Sequence, residues 1–203
     1  VDNRNERGFN ELRGYFIDEG GFLSSMDQPA EVSVLEQGPL FVKVAVKGKI
    51  GKYSFTQTIR LTQGEPRIDM SVKLDWTGNP RIGEPGIEFR ADNPRKSFYD
   101  DRYKLLVYLP IQIANQQIYK DAPFDVCESR LENTFFNRWD SIKHNIILNW
   151  VDVTSKDNSC GLSLFTDHTT SYAHGKDFPL ALNVQYAGKG LWGRDYIIDR
   201  PTE

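Results

Sequence analysis

Residues that bind metals or act as nucleophiles are scarce in this chain. It has two cysteines, Cys127 and Cys160, and three histidines, His144, His168 and His174, in 203 residues. Two cysteines allow one bridge in an exported protein or two separate thiols at strand positions, and exclude a disulfide-stapled scaffold. His168 and His174 would join Asp167 around zinc only if a loop gathered them, and their spacing fits no standard zinc motif. There is no Gly-X-Ser-X-Gly elbow and no glycine-rich phosphate loop before a helix; Gly188-Lys189-Gly190 lacks both length and helix. Cys160, between Ser159 and Gly161, reads as packing at a strand start. Asp100 and Asp101 are neighbours in sequence, which does not make their carboxylates face each other, and they read as a solvated loop. A net charge of −3 and a pI near 5.7 leave no basic face for a phosphate backbone, so nucleic acid is not an expected partner. No apolar run approaches a membrane span, so no membrane partner is expected either. No Asn-X-Ser/Thr acceptor occurs. The chain opens at Val1 without an initiator methionine, and so reads as cut from a longer polypeptide.

What the chain has is alternation. Hydrophobic residues at 39% and aromatics at 12% suffice to fill a core. Over residues 31–76 the apolar positions recur every second residue. Tyr53, Phe55, Gln57, Ile59 and Leu61 oppose Ser54, Thr56, Thr58, Arg60 and Thr62. Ile68, Met70, Val72, Leu74 and Trp76 oppose Arg67, Asp69, Ser71, Lys73 and Asp75. Val42, Val44 and Val46 repeat the pattern one strand earlier, and Val32 and Val34 one strand before that. Period two puts one set of side chains on each face of a sheet. The connections are short: Gly38-Pro39, a turn at residues 48–51, and Gly64-Glu65-Pro66. They predict an antiparallel meander with one buried and one wet face, which needs a second layer from the rest of the chain.

Outside the meander the pattern is more broken. Four glycines (Gly8, Gly14, Gly20 and Gly21) argue against a helix near the start, and an edge strand is expected at residues 14–17. Breakers from Gly78 to Pro94 enclose one short strand at 87–90, and a charged loop runs on to Arg102. Residues 105–110 form a continuous apolar run, as expected of a strand buried on both faces. Further strands are expected at 124–131, 146–153, 161–166 and 180–186, with Phe135, Phe136 and Trp139 as an aromatic knot between them. No apolar period of 3.6 residues lasts beyond two turns, and nothing repeats at a fixed period. The prediction is an all-β chain, residues 1–203 forming a single large antiparallel β-sandwich.

Three passages in order resemble a known family. Glu36-Gln37-Gly38-Pro39 is followed by Gln57-Thr58-Ile59-Arg60-Leu61 and Arg67-Ile68-Asp69. Next comes Asp121-Ala122-Pro123-Phe124-Asp125-Val126 with Glu128 and Arg130. Then Trp150-Val151-Asp152-Val153 leads, after a polar turn, to Gly161-Leu162-Ser163-Leu164-Phe165-Thr166-Asp167. From about Leu35 to Tyr196 the set resembles the C-terminal β-domain of glycoside hydrolase family 38, the retaining α-mannosidases. Cys127 and Asp125 depart from the family pattern, Asp125 standing where the family has glycine. The resemblance implies a sandwich similar to the galactose-mutarotase supersandwich. It also implies that zinc and the nucleophilic aspartate belong to an N-terminal catalytic domain, leaving this part non-catalytic and without a cofactor of its own. The implied partners are that catalytic domain and a mannose-containing glycan.

Sugars are held by aromatic faces against C–H surfaces together with fork-like donors and acceptors. Residues 166–195 combine both, in Asp167, His168, Tyr172 and His174, then Trp192, Arg194 and Asp195. These seven are the candidates for carbohydrate binding or for a domain interface. The alternative is structural: Trp192 and Tyr196 close the base of the sandwich while Arg194 and Asp195 form a surface pair. Two rival functions remain open: an independent carbohydrate-binding module, and a mutarotase-like enzyme built on His168 or His174 with Glu88.

Overall fold

A computed structural model describes residues 7–83, 101–129, 146–175, 178–189, 195–196, 198 and 201–202. The fold is all-β, with strands in antiparallel sheets as expected of a sandwich. The predicted strand at 87–90 and the aromatic knot lie outside the described residues.

The predicted meander is present as a four-stranded sheet in sequence order. Its strands are β3 (Glu31–Gln37), β4 (Phe41–Ile50), β5 (Tyr53–Thr62) and β6 (Ile68–Asp75). Pairing Val46 with Gln57 and Gln57 with Val72 puts the predicted apolar set on one face. The β4–β5 turn is tighter than the predicted 48–51. Ile50 pairs with Tyr53, so Gly48 sits inside β4 and Gly51-Lys52 alone make the turn. Gly51 has φ +58°, in the first central position where a strand-matching hairpin turn takes glycine.

A six-stranded sheet forms the opposing layer, in the order β10-β13-β14-β7-β1-β2. Its members are β1 (Glu11–Phe16), β2 (Gly21–Ser24), β7 (Leu105–Tyr108), β10 (Ile146–Ile147), β13 (Thr170–Gly175) and β14 (Phe178–Gln185). β7 is buried at all four positions, as its apolar run predicts. The expected edge strand near residue 14 is instead an interior one, because β1 pairs with β7 on one side and β2 on the other. Gly14 permits this: a Cβ there would lie 3.0 Å from the Leu105 Cα.

A second four-stranded sheet has the order β12-β11-β8-β9, with β8 (Gln116–Ala122), β9 (Asp125–Ser129), β11 (Trp150–Ser155) and β12 (Gly161–Phe165). A small hairpin pairs β15 (Gly188–Lys189) with β16 (Asp195–Tyr196). The single strand predicted at 146–153 is two strands in two sheets. Asp121 causes the break, its carboxylate accepting the backbone N–H groups of Leu148, Asn149 and Trp150 at 2.9, 2.7 and 3.1 Å. Three donors turned onto one side chain cannot also serve a ladder. Phe124, predicted at a strand start, occupies the β8–β9 turn with φ +68° and is fully exposed.

The two smaller sheets pack on one face of the six-stranded sheet. One core cluster joins Leu12, Phe16, Leu105 and Val107 to Ile50, Tyr53, Phe55 and Leu74. Another joins Ile147, Tyr172 and Leu180 to Ile118, Val151 and Val153. Phe16 stacks on Tyr53 at 5.5 Å, and Trp76 meets Tyr53 edge-on at 5.1 Å. These ring geometries suit the aromatic quadrupole.

Candidate functional site

The sequence candidates divide between an exposed turn and the interior. Asp167 and His168 sit in the turn between β12 and β13, their side chains 96% and 59% exposed. Asp167 Oδ1 lies 2.6 Å from His168 Nδ1, and that hydrogen bond holds the carboxyl below its usual range. Tyr172 is wholly buried and donates its hydroxyl to Ser129 Oγ at 2.5 Å. Burial pushes its phenol up to about 12, because the charged form loses its hydration. His174 is 1% exposed; its Nδ1 meets the Phe178 carbonyl at 3.0 Å and its Nε2 the Gln116 amide oxygen at 2.7 Å. Both side chains of β13 therefore pack inside rather than line an open surface. Asp195 lies in β16, its backbone in register with Lys189 of β15. Trp192 and Arg194 lie outside the described residues, as do Glu88, Asp100 and His144. Among the described residues, no three His, Cys, Asp or Glu side chains are grouped to hold a metal ion.

Asp101 corrects the solvated-loop expectation. It is 1% exposed, in a 3-10 turn at Asp101–Tyr103, and its carboxylate pairs with Lys104. A buried carboxylate needs such a partner, since an unpaired charge there would be neutralised.

The structure adds features that sequence reasoning missed. Gln57 falls in the apolar series of β5 yet is 4% exposed, and its amide donates to the Asn10 carbonyl and to Asn10 Oδ1 at 3.0 and 3.1 Å. It fastens the meander to the segment before β1. A polar residue inside an apolar alternation was the available signal.

The larger feature is a gradient along the meander's apolar face. At one end Ile50, Tyr53, Phe55 and Leu74 are at most 3% exposed. Toward the other end, on the same face, exposure reaches 59% at Val34, 47% at Leu61, 51% at Ile68 and 36% at Met70, and along the β3 edge it is 67% at Val32. Register places these side by side: Val34 pairs with Val44, Val44 with Ile59, Ile59 with Met70, and Leu61 with Ile68. The six-stranded sheet covers half of this face and leaves the other half open. A contiguous apolar patch of this kind marks an interaction surface.

A second exposed face belongs to the β12-β11-β8-β9 sheet. Trp150 pairs with Phe165, and Asp152 pairs with both Ser163 and Tyr119. Phe165 is 76% exposed, and Ser163 Oγ donates to Asp152 Oδ1 at 2.6 Å. Aromatic and polar groups therefore share one side of the sheet.

The family described as glycosyl hydrolases family 38 C-terminal domain matches residues 15–183. The chain belongs to this family. No curated protein and no solved structure matches it. Membership places the chain among the C-terminal domains of glycoside hydrolases. The family 38 match runs from β1 into β14, and so takes in the meander, the Asp121 turn and the Trp150–Phe165 pair. The hairpin β15–β16 and Thr202 lie past its end.

Proposed function

We propose that this chain is the non-catalytic β-domain of a retaining, zinc-dependent α-mannosidase, docked on and supporting a catalytic domain elsewhere in the polypeptide. The observation that carries the reading is the half-covered meander. Burying the exposed portions of Val32, Val34, Leu61, Ile68 and Met70 would contribute on the order of 5 kcal/mol, at about 25 cal/mol per Å². A domain surface separated from its partner leaves apolar area of this kind. Zinc and the nucleophile belong, in this reading, to the other domain.

The test is a double variant, Val34→Asp with Leu61→Asp, in the full-length enzyme. Hydrolysis of an aryl α-mannoside should fall at least tenfold, while the 203-residue chain carrying the same changes keeps its circular dichroism and melting temperature. Full activity in the double variant would remove the docking role.

The Trp150–Phe165 face favours a second reading, in which the domain also holds glycan by itself. Its aromatic pair and the Ser163–Asp152 hydrogen bond supply the stacking surface and polar fork that a sugar requires. Titrating the 203-residue chain with an α-linked mannobiose, followed by tryptophan fluorescence, separates the readings. Saturation that is lost in Trp150→Ala supports the second, and an unchanged signal removes it.

A further inference from the structure

The open half of the meander adjoins an open strand edge, and one residue already occupies the start of that edge. Leu74 donates its N–H to the Thr202 carbonyl at 2.9 Å, and Thr202 donates to the Leu74 carbonyl at 3.1 Å. Thr202 thus makes an antiparallel bridge on the side of β6 away from β5. Its side chain is fixed as well. Trp76 Nε1 donates to Thr202 Oγ1 at 2.7 Å, and Thr202 Oγ1 donates to Gln185 Oε1 at 3.1 Å. Where this bridge lies, the face is closed, with Leu74 at 0% exposure. Four and six residues back along β6, Met70 and Ile68 stand 36% and 51% exposed.

The two edges of the sheet differ. β3 is bulged between Val34 and Glu36. A bulge is a device that discourages a further strand. β6 instead pairs with β5 in unbroken register from Ile68 to Asp75. Because Leu74 turns its polar backbone groups to the open side, Val72, Met70 and Ile68 do so too in an antiparallel ladder. The described residues place no strand against that stretch.

We propose that β6 is the template for a fifth strand, formed by polypeptide running on from Thr202 in the full-length enzyme. Direction and register are already set. The second, fourth and sixth positions beyond Thr202 fall opposite Val72, Met70 and Ile68, and share the inner face with them. Those positions carry apolar side chains, alternating with polar ones. The strand adds its own side chains to the open half of the meander and extends the surface offered to the catalytic domain. It docks by strand addition, with main-chain hydrogen bonds giving affinity and alternate side chains giving fit. The continuing chain is the occupant of choice because Thr202 is already tethered at the right point, so closure is intramolecular and needs no second molecule.

This inference rests on the reading of the chain as one domain of a longer hydrolase, and the experiment separates the two. Amide hydrogen exchange is measured for β6 in the 203-residue chain and in the full-length enzyme. The amides of Val72 and Met70 are expected to exchange on the order of 100-fold more slowly in the longer protein. Those of Ser71 and Lys73, already turned toward β5, serve as the internal reference. Equal rates for Val72 and Met70 in the two proteins overturn the fifth strand, even where the side chains of Val34 and Leu61 prove covered. Protection that appears in the 203-residue chain only as its concentration rises identifies a second copy as the occupant, and also overturns it. A native polypeptide that stops at Glu203, or that has charged residues at the second and fourth positions beyond Thr202, does the same.

Discussion

Replacing Asp121 should unseat the junction between two sheets. Its carboxylate accepts three consecutive backbone N–H groups, from Leu148, Asn149 and Trp150. Oδ1 takes the first and third at 2.9 and 3.1 Å, and Oδ2 the second at 2.7 Å. In Asp121→Ala all three donors lose their partner. The Leu148 and Trp150 bonds are partly buried, and the Asn149 bond is exposed to water. Hydrogen bonds to a charged group are worth about 1.5–3 kcal/mol each, and an exposed donor recovers most of its share from water. The variant should therefore lose about 3–4 kcal/mol, equivalent to about 6–16 °C in Tm for a chain of this size. Asp121→Asn keeps one acceptor oxygen and points an NH2 group at the donor of Asn149, so its loss should be about half as large. Urea unfolding followed by far-ultraviolet circular dichroism measures both, with the m-value unchanged between variants. Exchange at the Leu148 and Trp150 amides should accelerate before global unfolding. A loss below about 1 kcal/mol in Asp121→Ala would refute the claim that this carboxylate splits residues 146–155 into two strands.

Two other outcomes follow from the interior. A methyl group at Gly14 would press on the backbone of Leu105 and Lys104, at 3.0 to 3.2 Å, so Gly14→Ala should cost about 1–3 kcal/mol by thermal unfolding. Burial raises the phenols of Tyr108 and Tyr172 from the ordinary 10 up to about 12. A raised folded-state value means their contribution to stability is complete below pH 10 and is lost as pH climbs from 10 through 12. Absorbance at 295 nm should register these two of the nine tyrosines ionising together with alkaline unfolding.

The meander was legible because four strands in sequence order expose their polar set to water, and alternation survives only where one face stays wet. The strand buried on both faces, residues 105–108, was legible for the complementary reason. β13 was not read as a strand. Its sequence, Thr-Ser-Tyr-Ala-His-Gly, is buried at all six positions, and no periodicity survives when both faces are covered by small and polar groups. Its Tyr172 and His174 read as candidates for carbohydrate binding or a domain interface, and Ser129 and Gln116 hold them from β9 and the start of β8. The break at residues 148–149 was hidden in a continuous apolar run, because its cause lies 27 to 29 positions upstream in Asp121. The exposed half of the meander has the same alternation as the buried half. Composition and period say that Leu61 and Phe55 share a face, and only packing reveals that the second layer stops between them.

Hydroxyl-radical footprinting of Val32, Val34, Leu61, Ile68 and Met70, in the 203-residue chain and in the full-length enzyme, shows whether docking covers the open half of the meander. Docking predicts ready oxidation of all five in the 203-residue chain. In the full-length enzyme it predicts at least fivefold slower oxidation at Val34 and Leu61, with Phe165 on the β12-β11-β8-β9 sheet unchanged. Equal oxidation of Val34 and Leu61 in the two proteins would contradict it, because the open half of the meander would then face water in the intact enzyme.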